Sequence, residues 1–187
     1  MKNIILLACF LLFAGCAKQP VIANLNLRIG EQPGGLYPAT LSAAISGQDS
    51  RKSQDVVVYA SDEPPTGLAN MSAPQELIEE KLAEGLRSQG LRLDPASPVH
   101  LKFDIKELLV RVSRPKMLYL AEGKTFITLT VENRGTVFTK TYKREAAKES
   151  ARRPDLPKLE EMLNTQLADI VQHMLQDEEV RNLIGRR

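Results

Sequence analysis

The sequence predicts an α+β fold: a two-layer sandwich in which a mostly antiparallel sheet, built on a long three-strand meander, carries two amphipathic helices on one face. Three observations support this. Three segments between residues 100 and 145 alternate apolar and polar side chains and are joined by short turn-forming stretches. Two further stretches, one closing at Gly90 and one opening near Asp155, repeat apolar residues every three to four positions. A sheet with one apolar face needs such helices to cover it. The 187 residues carry a net charge of +2, so there is no electrostatic case for nucleic acid. Tryptophan is absent and aromatic residues make up only 5%, which argues against a base- or sugar-stacking platform.

The first segment in chain order is a targeting signal. Lys2 is a short basic head, residues 4–13 are apolar, and small Ala14 and Gly15 precede Cys16. The apolar run is too short for a hydrocarbon core, which needs about 20 residues. Leu12-Phe13-Ala14-Gly15-Cys16 resembles a bacterial lipobox, with Phe13 bulkier than the usual occupant. That resemblance implies export, diacylglyceryl transfer to the Cys16 thiol, cleavage after Gly15 and acylation of the new amino terminus. A plain secretory signal with an incidental Cys16 is the competing reading. Cleavage divides the chain into a signal peptide (1–15), a lipidated tether (16–21) and a single α+β domain (22–185). Cys9 is discarded with the signal, so the mature domain has no disulfide and is held by packing. In a diderm host, Ala17 resembles the residue type that permits sorting to the outer membrane, where the anchor would sit in the periplasmic leaflet.

The domain's elements follow. Residues 22–29 place Leu25, Leu27 and Ile29 on one side of a strand. Gly34-Gly35 and two prolines make residues 31–38 a loop, and residues 30–35 lack the GK[ST] ending of a phosphate loop. Residues 39–45 form a second strand, 48–54 a polar turn, and Val56-Val57-Val58-Tyr59 a third. Residues 62–70 are breaker-rich and read as loop. Ser72 caps the first helix, with Pro74 in its first turn and Gln75 completing a capping box. Leu77, Ile78, Leu82 and Leu86 are its apolar stripe, and Gly90 ends it.

Residues 100–113 read as one long strand. Leu101, Phe103 and Ile105 share one parity, and Leu108, Val110 and Val112 the other, which predicts a bulge at Lys106-Glu107. The returning strand holds Ile127, Leu129 and Val131 inward, with an interruption at Ala121-Glu122-Gly123. Asn133-Arg134-Gly135 marks a hairpin, and residues 136–145 form the third strand, with Phe138 and Tyr142 on one face. The second helix carries Leu159, Leu163, Leu167, Ile170, Met174 and Leu175. Asp177-Glu178-Glu179 breaks the stripe before Val180, Leu183 and Ile184 resume it.

Catalytic patterns are missing from the residues. His100 and His173 are the only histidines, and no HExxH or CxxC spacing exists, so no metal or other cofactor is expected. Ser46 and Ser150 lack a GxSxG elbow. Asp104 and Glu107 have no partner that spacing can place, and they read as solvent-facing strand residues. The densest basic run, Lys140, Lys143, Arg144, Lys148, Arg152 and Arg153, is interleaved with Glu145 and Glu149. It is a candidate envelope-contact surface, to be weighed against an ordinary solvated face.

Several segments together resemble the YajG family of bacterial lipoproteins. They are Ala14-Gly15-Cys16-Ala17-Lys18, Leu86-Arg87-Ser88-Gln89-Gly90, Val99-His100-Leu101-Lys102-Phe103-Asp104-Ile105, Lys140-Thr141-Tyr142, and Leu163-Asn164-Thr165-Gln166-Leu167-Ala168-Asp169-Ile170. They span nearly the whole chain, with residues 30–38 and Arg152-Arg153 matching least well. The family carries no agreed catalytic residues, so the resemblance transfers one functional position, Cys16. It implies a lipid-anchored envelope protein, and with no catalytic constellation among the residues it is not expected to be an enzyme. The expected partners are the lipid bilayer, through acylated Cys16, and an envelope protein or peptidoglycan. A structural, peptidoglycan-associated role and a cell-wall enzyme are the alternatives.

Overall fold

The structure is a computed structural model that describes residues 21–186. The signal peptide, Cys16 and the tether as far as residue 20 lie outside the described residues. The elements are β1 (Ser42–Asp49), β2 (Asp55–Tyr59), β3 (Thr66–Ala69), α1 (Pro74–Ser88), β4 (Arg92–Leu93), β5 (Val99–Ser113), β6 (Tyr119–Asn133), β7 (Thr136–Ser150), α2 (Leu156–Gln176) and α3 (Glu178–Ile184).

Strand β5 is the axis of the sheet. One edge pairs antiparallel with β6 along its length, and β6 pairs in the same way with β7, which is the expected meander. The other edge carries two strands end to end. β1 runs parallel to residues 100–105 and β2 parallel to residues 110–112. β3 lies antiparallel outside β2, and β4 parallel outside β1. The seven-stranded sheet is therefore mixed and curls as a half-barrel, which corrects the mostly antiparallel two-layer expectation. Parallel pairing needs a long crossover, and α1 supplies it between β3 and β4. Alternation of side chains is the same in both strand directions, so it carries no information about which pairing forms.

The bulge falls where the phase change places it. The β5–β6 register shifts between Ile105 and Glu107. Lys106 is the extra residue, and it keeps Leu101, Phe103, Ile105, Leu108, Val110 and Val112 all on the inner face. At the same height β1 ends and β2 has not begun. Arg51 fills the gap, and its Nη1 donates to the carbonyls of Leu108 and Asp55 at 3.1 Å each. Its Nε and Nη2 form a fork on Asp49 with a shortest contact of 2.7 Å, and both side chains are only 5% exposed. Gly47 sits under the ring of buried Phe103, where a Cβ would come within 2.1 Å of the ring.

The helices cover the inner face. α1 packs on β1 and against α2, α2 on β5, β6 and β7, and α3 on β6. Both predicted stripes are buried or partly buried at every named position, and α3 resumes the stripe after the predicted break. α1 starts differently from expectation. Its N-cap is Ala73, with no side-chain cap, and Pro74 occupies the first turn where a missing N–H costs nothing. It ends as predicted, with Gly90 at φ +96° and the Leu91 N–H returning to the Leu86 carbonyl at 3.0 Å.

Residues 22–29 are extended but form no strand; Ala23 makes one isolated bridge with Asn70. Their alternation is real, with Ala23, Leu25 and Leu27 buried. The backbone N–H groups go to side chains instead: Asn24 to Glu160 Oε1 at 2.7 Å, Leu25 to Asn70 Oδ1 at 2.8 Å, and Asn26 to Asn164 Oδ1 at 2.9 Å. Glu160 and Asn164 are one helical turn apart, so two residues of tail match each turn of α2. Four further boundaries move. Residues 39–45 are not all strand, because β1 begins at Ser42 and takes in Gln48 and Asp49. Thr66–Ala69 form β3 within the breaker-rich loop, since pairing with β2 outweighs weak local propensity. β6 runs through Gly123 without interruption, because Met162 and Gln166 fill the space a side chain would take there. β7 extends past residue 145 to Ser150 because β6 continues to offer it a partner. Its turn is Arg134-Gly135, both at positive φ (49° and 78°), the two-residue hairpin geometry of the predicted signal.

Candidate functional site

The outer face of the sheet is the first candidate surface. Period-2 alternation sends the polar residues of β1, β5, β6 and β7 outward, and no helix covers them. A furrow of about 370 Å³ crosses this face, lined among others by Ser46, Gln48, Lys102, Asp104, Thr128 and Glu132. Lys102 Nζ sits 3.0 Å from both carboxylate oxygens of Glu132. Asp104 Oδ2 accepts from Lys106 and, at 2.7 Å, from Gln48. Cross-strand hydroxyl pairs Thr128–Thr141 (3.0 Å) and Thr130–Thr139 (3.1 Å) continue the row. Burial of Asp104 opposes its ionisation, but hydrogen bonds from Lys106, Ser50 and Gln48 outweigh it and hold the carboxyl below its ordinary value. Asp104 therefore has partners that the sequence did not reveal, supplied by the bulge residue and by β1. Glu107 lies in a neighbouring outer groove with Arg111, Glu122 and Lys124. The furrow offers a balanced set of donors and acceptors suited to holding a polar chain.

The six basic residues do not form one patch. On β7, Lys140, Arg144 and Lys148 share one face and Lys143 lies on the other, while Arg152 and Arg153 follow the strand. Lys140 reaches the inner edge, 2.7 Å from Asp177 and 3.1 Å from Glu179. Arg144 stands 3.6 Å from Asp169. Lys143 points outward, 5.1 Å above the ring of Phe126. Lys148, Arg152 and Arg153 converge with Lys158, a residue of α2 absent from the predicted set, around a crevice of about 280 Å³ floored by Ala121, Leu159 and Met162. Arg153 is 2.8 Å from Asp62 and stacks 3.9 Å above Tyr59, whose hydroxyl donates to the Pro154 carbonyl. The signal for this convergence lay in the proximity of the β7 end to the α2 start, with the cations on both sides of Pro154-Asp155.

Other buried polar groups hold helix ends in place. Asp177 caps α3 by accepting from the Glu179 N–H (3.0 Å) and the Val180 N–H, and its other oxygen accepts from Tyr142 at 2.7 Å. Burial disfavours the Asp177 carboxylate, yet the bonds from Lys140, Tyr142 and Val180 prevail and lower its pKa. Burial, and then the neighbouring Asp177, raise the Tyr142 phenol well above its usual range. His173 meets the Tyr142 ring edge-on at 5.3 Å between centroids, and His100 pairs with Ala44 of β1 and Glu132 of β6. Asn133 Nδ2 donates to the Leu183 carbonyl at 2.7 Å, and Gln166 bridges Thr125 and Gly123. Among the described residues no group of three His, Cys, Asp or Glu side chains is placed to hold a metal ion. No described helix is long and apolar enough to cross a membrane.

The family model described as "Uncharacterized lipoprotein" matches residues 38–185. Uncharacterized lipoprotein YajG of Escherichia coli strain K12 is 27% identical over 183 residues, covering 96% of this chain and 93% of that protein. Solved structures share the fold at low identity. A Xanthomonas campestris protein aligns with a TM-score of 0.59 at 10% identity, over 83% of this chain and 93% of its own. A neuraminyllactose-binding hemagglutinin homolog from Helicobacter pylori aligns with a TM-score of 0.52 at 11% identity, over 89% and 97%.

Proposed function

The chain belongs to the uncharacterized-lipoprotein family whose model it matches over residues 38–185, and from that premise we propose that it is a lipid-anchored, non-enzymatic binding module of the bacterial envelope. Acylated Cys16 holds it in the periplasmic leaflet of the outer membrane, and the outer sheet face receives an envelope protein. The observation that carries this reading is the uncovered outer face, with its furrow of paired lysines, carboxylates and threonines. Such a surface takes an extended polar segment through hydrogen bonds from its side chains, since the backbone groups of these strands are paired within the sheet. Each furrow carboxylate is occupied by a lysine, which suits adhesion better than proton transfer.

Two measurements test the reading. Cys16→Ser releases the protein from membranes into the soluble periplasmic fraction; equally firm membrane association would sink the anchoring half. A photo-crosslinking residue at Thr139, on the outer face, captures one partner of discrete mass in intact cells. The same residue at Glu161, exposed on α2, does not. Equal capture at both sites, or none at Thr139, refutes the use of the sheet face, and capture of sacculus fragments identifies peptidoglycan as the partner instead.

A further inference from the structure

We infer that one pole of the domain docks on the phospholipid surface that holds its anchor, with Met117 and Leu118 lodged among the head groups. The inference rests on the anchoring reading of Cys16 and adds an orientation to it. The tail tracks α2 in one direction: Asn24 bonds Glu160, Asn26 bonds Asn164, and Gln32 bonds Gln172. Followed backwards, it leaves the domain beside the N-terminal end of α2. Val21 lies five residue steps from Cys16, a reach of at most about 18 Å when fully extended. The pole from which the tail emerges is therefore held within reach of the head groups.

That pole is built for contact with a bilayer. Tyr119 pairs with Ser150 there, so the β5–β6 turn, the end of β7 and the start of α2 lie together. The turn presents Met117, 84% exposed, and Leu118, 43% exposed; Val21 and Ile22 of the emerging tail are exposed as well. Arg114 stacks 4.9 Å from the Tyr119 ring at the base of this turn. Cations flank the apolar tip. Arg114, Lys116, Lys148 and Arg152 have no carboxylate within 4 Å among the described residues, in contrast to Lys140 and Arg153. Apolar side chains ringed by unpaired cations match the two layers they would meet, acyl chains and anionic phosphates. The crevice beside them, with Lys148 and Arg152 above Leu159 and Met162, has the same two-part character. Val137 is also exposed but sits by the β6–β7 turn at the opposite end of the sheet, which makes it an internal control.

The chain has no tryptophan, so one introduced residue reports its own surroundings. Full-length lipidated protein carrying Met117→Trp or Val137→Trp is reconstituted into phosphatidylethanolamine–phosphatidylglycerol vesicles containing acyl-brominated lipid. Flotation with the vesicles establishes the anchor separately. The expected result is a blue shift and loss of emission at position 117, with position 137 unchanged. Adding Arg152→Glu to Met117→Trp restores part of the lost emission. Protein that floats while both reporters are quenched equally, or neither is, overturns the docking and leaves the anchor standing. Protein that does not float overturns both.

Discussion

Arg51 closes a gap that the sheet opens in its own edge, and its removal is the sharpest test of how this fold is held. β1 ends opposite Ile105 and β2 pairs again only at Val110, so the Leu108 carbonyl has no ladder partner. The Arg51 guanidinium supplies one, and its fork neutralises Asp49 where both side chains are 5% exposed. Arg51→Met leaves a buried carboxylate without a counter-charge, which costs about 3–5 kcal/mol. At roughly 2–4 °C per kcal/mol for a domain of this size, the midpoint of thermal unfolding by circular dichroism falls by roughly 6–20 °C. Arg51→Lys recovers only part of this, because an ammonium cannot hold Asp49 and two carbonyls in one plane. Adding Asp49→Leu to Arg51→Met recovers part as well, by removing the orphaned charge. A loss below about 1 kcal/mol for Arg51→Met, the range of an exposed pair, would refute the argument that Arg51 bridges the broken edge.

Gly47→Ala drives a methyl into the buried Phe103 ring and lowers stability by about 1–3 kcal/mol in denaturant titration; adding Phe103→Leu reverses most of it. Asp177 links stability to acid. Its folded pKa lies below the unfolded value, so its contribution is complete above the unfolded value and disappears as pH falls through the folded one. Asp177→Asn therefore flattens the acid side of the stability–pH curve, and Tyr142→Phe lowers stability at neutral pH by about 1.5–3 kcal/mol through loss of a charge-assisted bond. An unchanged acid limb in the Asn variant would place the acid sensitivity elsewhere.

Much of the meander and both long helices were legible because each signal was local. The change of parity between Ile105 and Leu108 encodes the bulge, since an inner face can stay apolar only if one residue is looped out. Asn133-Arg134-Gly135 encodes a turn because positive φ suits few residues. The tail at residues 22–29 misled for a physical reason. Burial on one side produces alternation whether the N–H groups are bound by a neighbouring strand or by Glu160, Asn70 and Asn164. The capping box at Ser72 was a local pattern overruled by Pro74, and β3 was a weak local pattern made a strand by β2.

The candidate surfaces divide in the same way. Membership of a lipoprotein family was readable from short segments spread along the chain, while Cys16 lies outside the described residues. The list of cations on and after β7 was readable too, but not their grouping. Only the pleat of β7, the bulge at Lys106 and the entry angle of α2 decided that Lys140 meets Asp177, that Lys106 meets Asp104, and that Lys148 and Arg152 meet Lys158. Sequence by itself determined the periodicities and the turns, which depend on residues a few positions apart. The tertiary structure decided strand direction, the continuous β1–β2 edge sealed by Arg51 and the exposed pole around Met117, because those depend on which distant segments the curled sheet brings side by side.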